Sequence, residues 1–169
     1  MKLTHFLAAA AVLFAATSAN AHDYTLGDLQ IGHPYTFETL STARAGGGYL
    51  TVTNNGDTDD RLIAVNADFP RVMLHTTEMQ DGVARMVHLN DGVAIPAGAT
   101  VTLQPGQMHV MFMGLASPFV AGDEFPATLV FEEAGEVAIT FKVEERTADG
   151  HDHSAHADHA DKDDGHHDH

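Results

Sequence analysis

Apolar side chains recur at every second position in short runs along this chain, and no stretch keeps the three-and-four spacing of an amphipathic helix. The runs are Tyr49-Leu50-Thr51-Val52-Thr53, Arg61 to Asn66, Val72 to Met79, Val83 to Leu89, Thr100 to Leu103, His109 to Met113, Thr128 to Phe131 and Val137 to Val143. Each is rich in β-branched or aromatic residues and reads as a strand. Gly46-Gly47-Gly48 precedes the first run, Asn54-Asn55-Gly56-Asp57 ends it, and Pro96-Ala97-Gly98 and Pro105-Gly106 separate later ones. These residues tolerate the backbone angles of turns. The pattern predicts an all-β domain, a Greek-key sandwich or barrel of about seven to nine strands.

Asp81-Gly82 lies between two alternating runs and signals a two-residue hairpin turn. A turn there pairs Gln80 with Val83, Glu78 with Arg85 and His75 with His88. Glu78 and Arg85 become an opposite-charge cross-strand pair, which supports that register. One face of the hairpin then carries Met73, His75, Thr77, Met79, Ala84, Met86 and His88, with His75 and Met86 as diagonal neighbours. In His109-Val110-Met111 the same period puts His109 and Met111 on one face. Two imidazoles and two thioethers can therefore converge from three strands.

Composition narrows the chemistry. The chain has 169 residues, 24 Asp plus Glu against 8 Lys plus Arg, 13 His, 7 Met and neither Cys nor Trp. That length suits one domain. A net charge of -16 leaves little to neutralise phosphates, so nucleic acid and anionic membranes are poor partners. Without Cys there is no disulfide framework, thiolate nucleophile or sulfur-based zinc finger, and any soft metal must be held by His and Met. No nucleophile beside a base and no paired acid-base carboxylates stand out, so a binding protein is expected rather than an enzyme.

Charge and histidine are unevenly placed. Residues 1–21 hold Lys2, an apolar run from Phe6 to Ala16 and a small-residue end, Ala19-Asn20-Ala21. They read as a secretory signal cleaved after Ala21. The run falls short of the roughly 20 residues that span a bilayer, so no stable membrane insertion is expected. Residues 22–147 form the expected folded domain. Residues 148–169 are a low-complexity segment of Asp and His, expected to be disordered.

Thioether sulfur is soft, neutral and weakly basic, so it discriminates against Mg, Ca and Mn and favours Cu(I), with imidazole as the adaptable partner. Zinc prefers thiolate, imidazole or carboxylate. The candidate metal ligands are His75, Met86, His109 and Met111, and the metal they suit is Cu(I). In the tail, His151, His153, His156, His159, His166, His167 and His169 alternate with carboxylates. Such a nitrogen and oxygen field favours a second metal, Cu(II) foremost and also Zn(II) or Ni(II), unless the segment serves only to keep the chain soluble. An amino-terminal His22, freed by cleavage after Ala21, offers a further Cu(II) chelate through its amine and imidazole.

At these residues the chain resembles the periplasmic copper chaperones of the PCu(A)C family, whose motif is His, ten residues, Met, twenty-one residues, His-x-Met. His75 and Met86 keep the first gap, and His109-Val110-Met111 supplies the second half. The phrases His75-Thr76-Thr77-Glu78-Met79, Asp81-Gly82-Val83, Ile95-Pro96-Ala97-Gly98 and Met111-Phe112-Met113-Gly114-Leu115 match as well. The second gap is one residue longer than the family's, and Asn90-Asp91-Gly92 is the expected place for the extra residue, since inside a strand it would reverse a face. The resemblance implies a cupredoxin-like barrel with an exposed Cu(I) site near one end. It also implies delivery of copper to the binuclear centre of cytochrome c oxidase subunit II, alongside a Sco-type copper protein, by a monomer in the periplasm.

Other residues receive plainer readings. Met73, Met79, Met108 and Met113 are expected to pack in the core or form an apolar rim. His88 faces His75 but is sufficiently explained as a half-exposed strand residue, and His33 beside Pro34 as a surface loop residue. Two further functions stay open: a periplasmic copper or zinc buffer acting mainly through the tail, and a secreted β-sandwich for adhesion whose methionines are core.

Overall fold

The computed structural model describes residues 23–146. The expected signal segment 1–21, the chelate at His22 and the metal-binding tail 148–169 lie outside the described residues. Every helix-or-strand element among the described residues is a strand: β1 (Tyr24–Leu26), β2 (Leu29–Phe37), β3 (Ala45–Asn54), β4 (Asp60–Ala67), β5 (Arg71–Gln80), β6 (Val83–His88), β7 (Val93–Ile95), β8 (Thr100–Leu103), β9 (His109–Met113), β10 (Glu124–Phe131) and β11 (Gly135–Glu144). The expected all-β class is what the described residues form.

The hydrogen-bonded path runs β6-β5-β9-β3-β2-β11-β10-β4-β7, with β1 added to β2 and β8 to β3. Pairing is antiparallel except between β11 and β2. In β3 buried and half-buried positions alternate without a break, the signature of one face turned to a core. That core holds Ile31, Leu50, Val52, Leu62, Val110, Phe112, Leu129, Phe141 and Val143, all essentially without solvent contact. Phe112 is its hub, with edge-on contacts to Phe125 and Phe141 at centroid distances of 5.1 and 5.3 Å.

One edge of β3 is shared by two strands. Leu50 to Thr53 pair with β8, while Ala45 to Gly48 pair with β9. β5 pairs with β9 and β6 pairs with β5, so the β5–β6 hairpin hangs from β9 at one end of the sheet and β6 is its edge. This arrangement sets the four predicted ligands at a rim.

Three differences from the sequence reading have physical causes. The described residues hold eleven strands rather than about seven to nine, because β1, β2 and β7 carry weak local signals. In β2 the alternation is interrupted at Gly32-His33-Pro34, where His33 has φ 48° and the register with β3 shifts between Gly32 and Tyr35. His33 therefore sits in a strand bulge, with Nε2 3.2 Å from a Glu144 carboxylate oxygen, and not in a loop. Gly46, Gly47 and Gly48 lie inside β3 rather than before it. They are glycines because aromatic rings cover them: a Cβ on Gly46 would lie 2.5 Å from Phe119 Cε2, and one on Gly48 would lie 2.6 Å from Phe112 Cε2.

The crowding at Gly48 has a measurable consequence. Gly48→Ala forces Phe112 or the β3 backbone to move within a close-packed core and should cost about 1–3 kcal/mol of unfolding free energy in urea denaturation. An unchanged midpoint would show that the ring gives way freely.

Candidate metal centre

The β5–β6 hairpin forms in the register its sequence predicts. Asp81 and Gly82 have φ 52° and 80°, the pair of positive angles of a two-residue turn. Gln80 pairs with Val83, Glu78 with Arg85, Thr77 with Met86 and His75 with His88. On the other side of β5, His75 pairs with His109 and Met73 with Met111. Because side chains alternate along a strand, directly paired residues share a face. His75, Met86, His109 and Met111 thus share the outer face of three adjacent strands, with Met86 and Met111 diagonal to His75 on opposite sides. The structure sets all four predicted ligands on one face.

Their exposure is graded. His109 is 5% and His75 9% exposed, Met111 is half-buried, and Met86 is 61% exposed. Behind His75 and His109 the alternate residues Leu74 and Val110 are buried in the core, which locks the two strands and therefore the two rings. A hollow of about 320 Å³ opens beside His109, lined in part by Met86, Met111, Tyr49, Phe37 and Arg146.

Hydrogen bonding leaves one nitrogen of each ring without a partner. His109 Nδ1–H donates to the Gln107 carbonyl at 2.9 Å, since a carbonyl can only accept. That bond fixes the tautomer with a bare Nε2, as a backbone carbonyl does for many metal-ligating histidines. His109 Nε2 and His75 Nδ1 are both buried with no hydrogen-bond partner. Two orphaned buried nitrogens side by side are costly in a finished core and make sense as donors waiting for a cation. Burial chiefly, and then the nearby His109 and His88, hold the His75 pKa below its ordinary value. The ring is therefore kept neutral, the form a metal needs.

Among the described residues no three His, Asp or Glu side chains converge on a metal position. The set therefore depends on its sulfurs. Met73 and Met113 sit half-buried on the same outer face as Met111, as an apolar rim, while Met108 packs against the core. Met79 is 69% exposed near the hairpin tip and does neither. The turn at Asn90–Gly92, where Gly92 N–H donates to the Leu89 carbonyl, lies between β6 and β7, so β9 keeps its face.

Residues 29–143 match the LpqE-like family, described as "Putative lipoprotein LpqE-like". The protein Lxx21020 of Leifsonia xyli subsp. xyli is 35% identical over 74 residues, 44% of this chain and 45% of that protein. The chain spans about half the length of the curated relatives it matches. Among solved structures, the copper-bound PCuAC domain from PmoF2 is 33% identical with a TM-score of 0.62, over 74% of this chain and 99% of that one. The solution structure of CuI-DR1885 from Deinococcus radiodurans is 27% identical with a TM-score of 0.56, over 77% of this chain and 85% of that one.

The depressed pKa of His75 fixes a sign. A base whose folded pKa lies below its unfolded value binds fewer protons when folded, so stability is whole above about pH 6.5 and falls as the pH drops below it. Metal-free chain should therefore lose stability between pH 7.5 and 5.5, and His75→Gln should flatten that slope. Parallel slopes for the two proteins, measured by urea denaturation, would place the titration elsewhere.

Proposed function

The chain belongs to the LpqE-like family, in the PCu(A)C group, and from that premise we propose that it is a periplasmic copper chaperone whose cargo is one Cu(I) held by His75, Met86, His109 and Met111. The observation that carries this reading is the pair of buried, unpartnered imidazole nitrogens on the face that also bears two thioethers. All four ligands are neutral. Cu(I) has no d-electron geometry to enforce and accepts such a mixed sulfur and nitrogen set, whereas hard cations do not.

The acceptor we propose is the copper centre of cytochrome c oxidase subunit II, with a Sco-type protein as companion, and the chain acts as a monomer and without catalysing a reaction. Exposure supports stepwise handover. Met86 projects from an edge strand and is the ligand an acceptor reaches first, while His109 is the most deeply set and lets go last. Replacing weak thioethers one at a time keeps copper bound throughout the exchange. Outside the described residues, the seven tail histidines hold a second copper as Cu(II), since alternating imidazole and carboxylate suit the divalent ion.

Met111→Ile places a β-branched residue, well suited to a strand, on β9 and removes one sulfur. In a full chain whose seven tail histidines are replaced by Asn, it should weaken Cu(I) at least tenfold, or about 1.4 kcal/mol, and Cu(II) much less. Anaerobic competition titration reads the affinities and X-ray absorption counts the sulfurs. If the tail-substituted parent takes up no Cu(I), the buffer reading replaces the carrier.

Transfer supplies the second check. Mixed with a purified oxidase copper domain, the loaded chain should release copper at a rate that rises with acceptor concentration. A rate independent of acceptor would mean that copper dissociates before it is captured.

A further inference from the structure

His88 takes no part in the copper set described above, yet its position and bonding repeat those of His109. The two residues flank His75 in one register row across β6, β5 and β9. Their rings stand 5.5 Å and 5.9 Å from that of His75, centroid to centroid, and both meet it edge-on. His88 Nδ1–H donates to the Leu74 carbonyl at 3.1 Å, as His109 Nδ1–H does to the Gln107 carbonyl at 2.9 Å. In each the bond leaves Nε2 as a bare lone pair. The Leu74 carbonyl also receives Leu89 N–H at 2.9 Å, so it is anchored in the hairpin ladder and holds the His88 ring from a fixed point.

We propose that His75, His88 and His109 form a second ligand set at the same rim, an all-imidazole site for Cu(II) that excludes the thioethers. The inference rests on the reading of this rim as a copper site and extends it to the other oxidation state. Cu(II) is harder than Cu(I), prefers nitrogen to thioether sulfur, and adopts tetragonal arrangements that three imidazoles and water can satisfy. Two of the three nitrogens needed, His75 Nδ1 and His109 Nε2, are already buried and unpartnered. The third is on an exposed residue of an edge strand, where the ring can tilt toward His75 while its Nδ1–H stays on the Leu74 carbonyl and the core is undisturbed. The three imidazoles do not yet converge in the metal-free arrangement, so Cu(II) binding draws His88 inward. Copper arriving in either oxidation state then has a place at one rim, with His75 and His109 common to both sets and completed by two sulfurs for Cu(I) or by the His88 nitrogen for Cu(II).

The test uses the full chain with its seven tail histidines replaced by Asn, loaded with Cu(II) or, anaerobically, with Cu(I). In the parent, electron paramagnetic resonance and X-ray absorption of the Cu(II) form should report three imidazoles and no sulfur. His88→Asn should reduce that count to two and weaken Cu(II) at least tenfold, while Cu(I) affinity shifts less than twofold. Circular dichroism and the urea midpoint establish that the variant is folded, and the spectrum of the unsubstituted rim answers the question even if it is not. A parent Cu(II) spectrum with two imidazoles, or with sulfur, overturns the proposal, as does an equal loss of both copper ions in His88→Asn. Failure of the parent to take up Cu(I) in a sulfur-containing site would instead overturn the chaperone reading, which separates the two outcomes.

Discussion

The register of β5 between β6 and β9 is the constraint on which the site depends. A slip of one residue on either side would send His75 or His109 to the opposite face and put Leu74 or Val110 into solvent. Several independent features oppose such a slip. The Asp81-Gly82 turn fixes the hairpin, Glu78 faces Arg85 across it, and the buried Leu74, Val110 and Phe112 hold β5 and β9 by their other faces. The ligands on the outside are positioned by the core on the inside. Alternation of side chains makes those two statements the same one.

That logic explains what could be read from the sequence. The hairpin, its turn, the shared face of His75 and Met86, that of His109 and Met111, and the all-strand class follow from a period of two and from turn chemistry, both of which are local, whereas the pairing of β9 with β5 that joins the two faces is long-range. β2 was not legible because Gly32-His33-Pro34 breaks its pattern, and only pairing on both sides with β3 and β11 restores it as a strand. The glycines of β3 look like a loop because the rings that require them, Phe112 and Phe119, come from more than sixty residues away. For His88 the sequence shows its place opposite His75. The carbonyl that orients the ring is a matter of backbone geometry and leaves no mark in residue types.

The charge of the chain adds a second constraint. With a net charge of -16 the protein attracts cations of every kind, and attraction alone would not distinguish copper from calcium or magnesium. Discrimination has to come from the ligands. No carboxylate joins the rim set, and among the described residues no three His, Asp or Glu side chains are poised together on a metal. Acidic side chains such as Asp57, Asp59 and Glu133 stay exposed and solvated, where they raise the local concentration of cations without offering a dry, preformed seat. The acidic surface gathers, and the neutral sulfur and nitrogen rim selects.

Burial then decides how firmly each ligand is held. Fixing a side chain that the core has already ordered loses little rotamer freedom, while ordering an exposed methionine loses more. His75 and His109 are therefore the pre-organised part of the set, and Met86, 61% exposed on an edge strand, is the adaptable part. A carrier needs both. Four rigid, buried ligands would hold copper too long to pass it on, and four mobile ones would bind too weakly to keep it from free solution. Placing two imidazoles over the core on β5 and β9 and letting the Met86 sulfur approach from the edge strand β6 divides these tasks between strands. It also leaves open the same edge from which a third imidazole can approach.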